Sequence, residues 1–216
     1  MNRKALSTAI LTVAGSAALA MGAAAGPAYA EEVPCGSGGA GVVWNFSNAG
    51  AGLIINGTPG DDIITGTPFA DVIRGGGGHD VINGGQGNDQ LRGDGIPGQP
   101  PGKDQVNGQD GDDTVTGDEC EDTVRGGNGA DTATGGTQND VVFGGAGNDV
   151  VGGGDGADQV SGNEGNDLVV GGNGNDTLSG GIGADGLDGQ AGVDSGDCGG
   201  QAGDAATGAT EMTVNC

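Results

Sequence analysis

Fifteen aspartates in a single phase carry the chemistry of this chain. Asp62, Asp71, Asp80 and Asp89 are followed by Asp104, Asp113, Asp122, Asp131, Asp140, Asp149, Asp158, Asp167, Asp176, Asp185 and Asp194. Every step is nine residues except the one from Asp89 to Asp104, which is fifteen. Carboxylates that recur at a fixed period on a regular backbone stack into rows, and stacked carboxylates are donors for hard cations. Zinc or copper would need other ligands, yet His79 is the only histidine and the four cysteines are dispersed. His79 itself falls at a variable position and reads as a solvated side chain.

The residues around each aspartate show what must position it. The full phrase is Gly-Gly-x-Gly-x-Asp-x-apolar-x, in which a glycine-rich six-residue turn precedes three residues of short strand with one inward side chain. The inward positions, from Ile64, Ile73 and Ile82 to Val169, Leu178 and Leu187, are all aliphatic. One such strand buries too little alone, so two units should make an eighteen-residue coil with two facing parallel sheets: an all-β, right-handed parallel β-roll. The extra six residues fall within Gly93 to Gly102, a Gly- and Pro-rich stretch that reads as a loop bulging from one coil. Residues 31–56 read as an N-terminal cap, 57–195 as the repeat and 196–216 as a C-terminal cap in which Met212, Thr213 and Val214 cover the last edge.

Gly75-Gly76-Gly77-Gly78-His79-Asp80-Val81-Ile82 and Gly171-Gly172-Asn173-Gly174-Asn175-Asp176-Thr177-Leu178 resemble the repeat of RTX proteins, the hemolysin-type calcium-binding family. Seven units are complete, with turn glycines Gly75, Gly76 and Gly78; Gly84, Gly85 and Gly87; Gly126, Gly127 and Gly129; Gly144, Gly145 and Gly147; Gly153, Gly154 and Gly156; Gly171, Gly172 and Gly174; and Gly180, Gly181 and Gly183. The resemblance implies multiple Ca2+ ions, each between aspartates one coil apart such as Asp62 with Asp80 or Asp113 with Asp131, with glycine carbonyls completing the oxygen shell. Fifteen aspartates allow at most thirteen such pairs, and Phe69, Cys120 and Gln138 in place of the fourth-position glycine lower the expected occupancy. Without ions the stacked carboxylates repel and the thin core cannot offset chain entropy, so the chain is expected to fold on binding calcium.

Composition sets limits on the rest. With 54 glycines, 2% aromatic residues and a net charge of −24, a packed helical core is out of reach, and nucleic acid and anionic membranes are unfavourable partners. Asn2-Arg3-Lys4, the apolar stretch Ala5 to Ala25 and Ala28-Tyr29-Ala30 read as a cleavable secretory signal over residues 1–30, with no other span that could cross a bilayer. An extracellular chain with Cys35, Cys120, Cys198 and Cys216 is expected to hold two disulfides. Cys120 and Cys198 are about four coils, or roughly 20 Å, apart, which favours Cys35–Cys120 with Cys198–Cys216. The alternative at Cys120 is a free thiol standing in for the turn glycine. No H-E-x-x-H or G-x-S-x-G occurs and the segments flanking the repeat are short, so an enzyme is not expected; a polysaccharide-modifying activity would need a partner chain. Two functions remain: a secreted calcium-binding protein, or a calcium-rigidified solenoid that binds polysaccharide or a cell-surface partner. For the second, Thr114, Thr116, Thr132 and Thr134 form a short outward row, interrupted by Val150, Leu168 and Val170 and by Phe143.

Overall fold

The computed structural model describes Cys35 and residues 39–200, 205–207 and 213–215. The expected signal, residues 1–30, lies outside the described residues, as do Met212 and Cys216. All described regular structure is strand: β1 (Ala40–Asn45), β2 (Ile54–Asn56), β3 (Asp61–Thr65), β4 (Val72–Arg74), β5 (Val81–Gln86), β6 (Gln90–Arg92), β7 (Gln105–Asp110), β8 (Thr114–Glu119), β9 (Thr123–Asn128), β10 (Thr132–Thr137), β11 (Val141–Ala146), β12 (Val150–Asp155), β13 (Gln159–Glu164), β14 (Leu168–Asn173), β15 (Thr177–Ile182), β16 (Gly186–Ala191), β17 (Ser195–Asp197), β18 (Ala205–Thr207) and β19 (Thr213–Asn215). Odd strands form one ten-stranded sheet and even strands a nine-stranded sheet. Every pairing is parallel, and partners within the uninterrupted repeat are eighteen residues apart, as in Val142↔Val160 and Val151↔Val169. The chain is a parallel β-roll of about nine turns.

Inward side chains from both sheets fill the space between them. Ile64, Ile73, Ile82, Leu91, Val106, Val115, Val124, Ala133, Val142, Val151, Val160, Val169, Leu178 and Leu187 are each no more than 2% exposed. The alternation of the pleat explains why one aliphatic residue per unit suffices, since its neighbours on either side face outward. The insertion leaves both ladders in phase, because Ile82 pairs with Val106 and Leu91 with Val115 across 24 residues.

The strands are longer than the three residues expected. Most have six, running through the apolar triplet and on into the first three turn positions, as β5 takes in Gly84, Gly85 and Gln86. The reason is that the glycine backbone keeps its ladder pairing, as in Gly85↔Gln109 and Gly136↔Gly154. Positive φ is accordingly not spread over the turn but sits at its second and fourth positions, where Gly144's neighbours Gly145 and Gly147 have φ of 122° and 137°. Among the described residues six that are not glycine hold the same conformation, and all stand at those two positions: Gln109, Asp118, Asn163 and Gln190 at the second, Cys120 and Gln138 at the fourth. Each carries a cost of about 1 kcal/mol or more that the stacked coils must offset.

At the N-terminal end β1 pairs with β3 and β2 with β4, and Ile55 is 2% exposed, so the final residues of the expected cap already form a strand of the first coil. Trp44 and Phe46 meet edge to face at 6.3 Å, and both, with Leu53, pack against the end of the core. At the other end Gly196 lies opposite Leu178, where the repeat would place an apolar side chain, and Cys198, fully buried, joins the core. β19 pairs with β17 and ends its sheet. Cys35 and Cys120 are disulfide-bonded with Cα atoms 5.9 Å apart, so Cys120 is not a free thiol. Cys198 is also disulfide-bonded, and its expected partner Cys216 lies outside the described residues. No described helix is long and apolar enough to cross a membrane.

Candidate metal centres along the turn rows

The two edges of the roll each carry a row of aspartates. Asp62, Asp80, Asp104, Asp122, Asp140, Asp158, Asp176 and Asp194 line one edge; Asp71, Asp89, Asp113, Asp131, Asp149, Asp167 and Asp185 line the other. None is more than 4% exposed. Each row is knitted by one repeated bond, in which the backbone N–H of an aspartate donates to Oδ1 of the aspartate one coil further on. Distances run from 2.7 Å for Asp62 to Asp80 up to 3.0 Å for Asp176 to Asp194. The bond spans the insertion unchanged, at 2.8 Å from Asp80 to Asp104 and 2.7 Å from Asp89 to Asp113. Aspartates one coil apart are therefore linked through amide and carboxylate.

The second oxygen of the same side chains has no partner. Oδ2 of Asp80, Asp89, Asp104, Asp113, Asp122, Asp131, Asp140, Asp149, Asp158, Asp167, Asp176, Asp185 and Asp194 is buried without a hydrogen bond. What it faces is the first glycine of its own turn. A methyl group on Gly108, Gly126, Gly144 or Gly162 would lie within 3 Å of the Oδ2 of Asp113, Asp131, Asp149 or Asp167 and equally close to the carbonyl oxygen of the first glycine one coil on. First-position glycine is needed for this space and not for its φ, which is unexceptional at all four. A carboxylate oxygen and a main-chain carbonyl thus converge beside each of these glycines, closer to its Cα than any larger residue would allow. Among the described residues no three His, Cys, Asp or Glu side chains converge as a metal cluster, so the donor set is carboxylate plus carbonyl, all oxygen. That set fits calcium and leaves zinc and copper without ligands.

Burial without compensation raises the affinity of these carboxyls for a proton. Desolvation, reinforced by Asp122, Asp94 and Asp80, pushes Asp104 up to about 10. The same cause lifts Asp122 to about 9 and Asp80 to about 8, each with Asp94 among the repelling neighbours. Asp89 and Asp140 rise to about 7, and Asp131, Asp158 and Asp167 to about 6. A buried carboxylate must be neutralised by a proton or by a counter-ion.

Three features were not anticipated in the sequence. Asp94, out of phase in the insertion, is only 8% exposed and accepts from the N–H groups of Gly102 and Glu119 at 3.2 Å each. The fifth turn position builds a second ladder outside the first: Oδ1 of Asn148 accepts from Asn166 N–H at 2.8 Å, and Oδ1 of Asn166 from Ala184 N–H at 2.8 Å. His79 belongs to that ladder, its Nδ1 accepting from Lys103 N–H at 2.7 Å, so it is more than a solvated side chain. The enrichment of Asn and Asp just before the phased aspartate was the available signal. Finally, Asp62 and Asp71 differ from the other thirteen: Thr58 N–H and Thr67 N–H donate to their Oδ2 at 2.6 Å each.

Stacked turns of this kind, with a row of half-satisfied carboxylates on each edge of a two-sheet roll, define a calcium-binding parallel β-roll. The RTX calcium-binding nonapeptide repeat matches residues 56–91, 101–133, 125–160 and 161–195, and the chain belongs to that family. Among curated proteins no match to the chain was found.

Proposed function

We propose that this is a secreted calcium-binding protein whose roll closes as calcium enters the turn rows, with the phased aspartates from Asp80 onward and first-position glycine carbonyls as ligands. The observation that carries this reading is the run of thirteen buried, unpartnered Oδ2 atoms, one for each one-coil pair of aspartates. Burying so many uncompensated carboxylates is unfavourable, and a divalent cation bound to each Oδ2 supplies the missing partner. Binding free energy is then folding free energy. Extracellular calcium modules bind at about 10⁻⁴ to 10⁻³ M, so folding would follow export, in keeping with the signal-like residues 1–30.

A calcium titration of the chain from residue 31, followed by far-UV circular dichroism with magnesium as control and calorimetry for stoichiometry, tests this. A coil-to-β transition specific to calcium is expected; an identical spectrum in chelator and in calcium contradicts it. A second role is that the rigidified roll presents a sheet face to a polysaccharide or cell-surface partner. It is favoured by the shallow trough on the nine-stranded sheet, where Gly152 leaves open space between Thr134 and Val170. Glycan-array binding in calcium, abolished by filling the trough with Gly152→Trp, would support it.

A further inference from the structure

The first coil is built differently from those that follow. Its turns read Gly57-Thr58-Pro59-Gly60-Asp61-Asp62 and Gly66-Thr67-Pro68-Phe69-Ala70-Asp71, with threonine at the second position and proline at the third. Proline has no N–H for the ladder, and the strands before these turns, β2 and β3, stop at Asn56 and Thr65, short of the turn. The threonine N–H, freed from the sheet, turns onto the aspartate: Thr58 N–H donates to Asp62 Oδ2 at 2.6 Å while its hydroxyl reaches Asp62 Oδ1 at 3.1 Å. Thr67 repeats both bonds on Asp71, at 2.6 and 3.1 Å. The threonine hydroxyl also accepts from the N–H two residues on, Gly60 at 3.2 Å and Phe69 at 3.0 Å, which fixes each turn. Oδ1 of Asp71 further accepts from Leu53 N–H at 2.6 Å. At no other phased aspartate does its own turn occupy Oδ2.

We propose that this coil closes without a cation, threonine doing at Asp62 and Asp71 what calcium does at the later turns, and that it is the preformed template on which the calcium-loaded coils stack. The inference rests on the calcium-dependent folding proposed above. The coil is also suited to stand alone, because Trp44, Phe46 and Leu53 pack on its open end and give it apolar cover that the inner coils lack.

Amide hydrogen exchange of the whole chain in chelator and in calcium tests the proposal. In chelator, residues 54–74 are expected to exchange at least about tenfold more slowly than residues 105–191, and in calcium both regions are protected. Equal, rapid exchange of the two regions in chelator overturns the template while calcium-induced protection of 105–191 leaves calcium-dependent folding intact. Equal protection of both regions in chelator overturns template and calcium-dependent folding together. Thr58→Val with Thr67→Val, which keep shape and lose the hydroxyl, should abolish the chelator-phase protection of 54–74, and Thr58→Ser with Thr67→Ser should retain it; valine variants as protected as the parent overturn the role given to threonine. The emission of Trp44, the sole tryptophan, gives an independent readout and should be nearly the same in chelator and calcium.

Discussion

The amide of Asp113 donates to Oδ1 of Asp131 at 2.7 Å, while Oδ2 of Asp131 is buried beside the backbone of Gly126 with no partner. One oxygen of the carboxylate thus joins neighbouring coils, and the other, without a hydrogen bond, is the one the proposed function assigns to a cation. Asp131→Asn separates these roles, because an asparagine carbonyl can keep the amide bond and cannot supply charge. Its calcium midpoint should rise, on the order of tenfold for the affected site, with one ion fewer bound by calorimetry. A variant with unchanged midpoint and stoichiometry would remove Asp131 from the ligand set.

Glycines in the same roll should differ sharply in their tolerance of a methyl group. At Gly144 a Cβ would crowd Asp149 Oδ2 and the carbonyl of Gly162, whereas at Gly152 it would meet only a threonine methyl at 4.0 Å. Gly144→Ala is expected to cost about 1–3 kcal/mol in calcium-saturated unfolding and to lose an ion. Gly152→Ala should be within about 0.5 kcal/mol of the parent. Denaturant unfolding at saturating calcium compares the two directly.

Acid should substitute in part for calcium. Unfolded aspartates titrate near 4, while in the cation-free roll Asp104 is raised to about 10, Asp122 to about 9 and Asp80 to about 8. A raised folded value means that folding favours the protonated form, so this stabilisation is complete below about pH 4, falls as pH climbs from there through the folded values of about 8 to 10, and is lost above them. In chelator, β signal is therefore expected to grow on acidification from pH 8.5 towards 4. With calcium present the trend reverses, since protons compete for the same oxygens. A chelated chain no more ordered at pH 4 than at 8.5 would contradict the burial of these groups.

Leu178 is buried between the sheets, and Leu178→Ala removes one of the two inward side chains that its coil supplies to the core. A loss of about 2–5 kcal/mol is expected, read as a lower midpoint in denaturant at fixed calcium.

Much of this architecture was legible because two periodicities coincide. The nine-residue spacing of aspartates and the aliphatic residue two places after all but the last of them, from Ile64 to Leu187, together specify both edges and core of the roll, and the structure buries all of them. What the spacing could not show was division of labour inside the turn. First-position glycine looks the same in sequence as its neighbours, yet it is required by the carboxylate beside it, whereas Gln109, Asn163 and Gln138 prove that the positive-φ positions tolerate other residues. Asp94 escaped because the insertion takes it out of phase, and the special character of Asp62 and Asp71 depends on hydrogen bonds to Thr58 and Thr67 that period alone does not encode.

The disulfide joins residues 85 apart in sequence, linking the segment ahead of β1 to a turn several coils into the roll. Tension applied upstream of Cys35 therefore enters the protein at Cys120 and travels on towards the C-terminus. Coils between the two cysteines hang outside the load path, sheltered from shear for as long as the bond is oxidised. Reduction would move the point of attack to β1, so the redox state of one bond decides where along the roll unravelling begins when the chain is pulled.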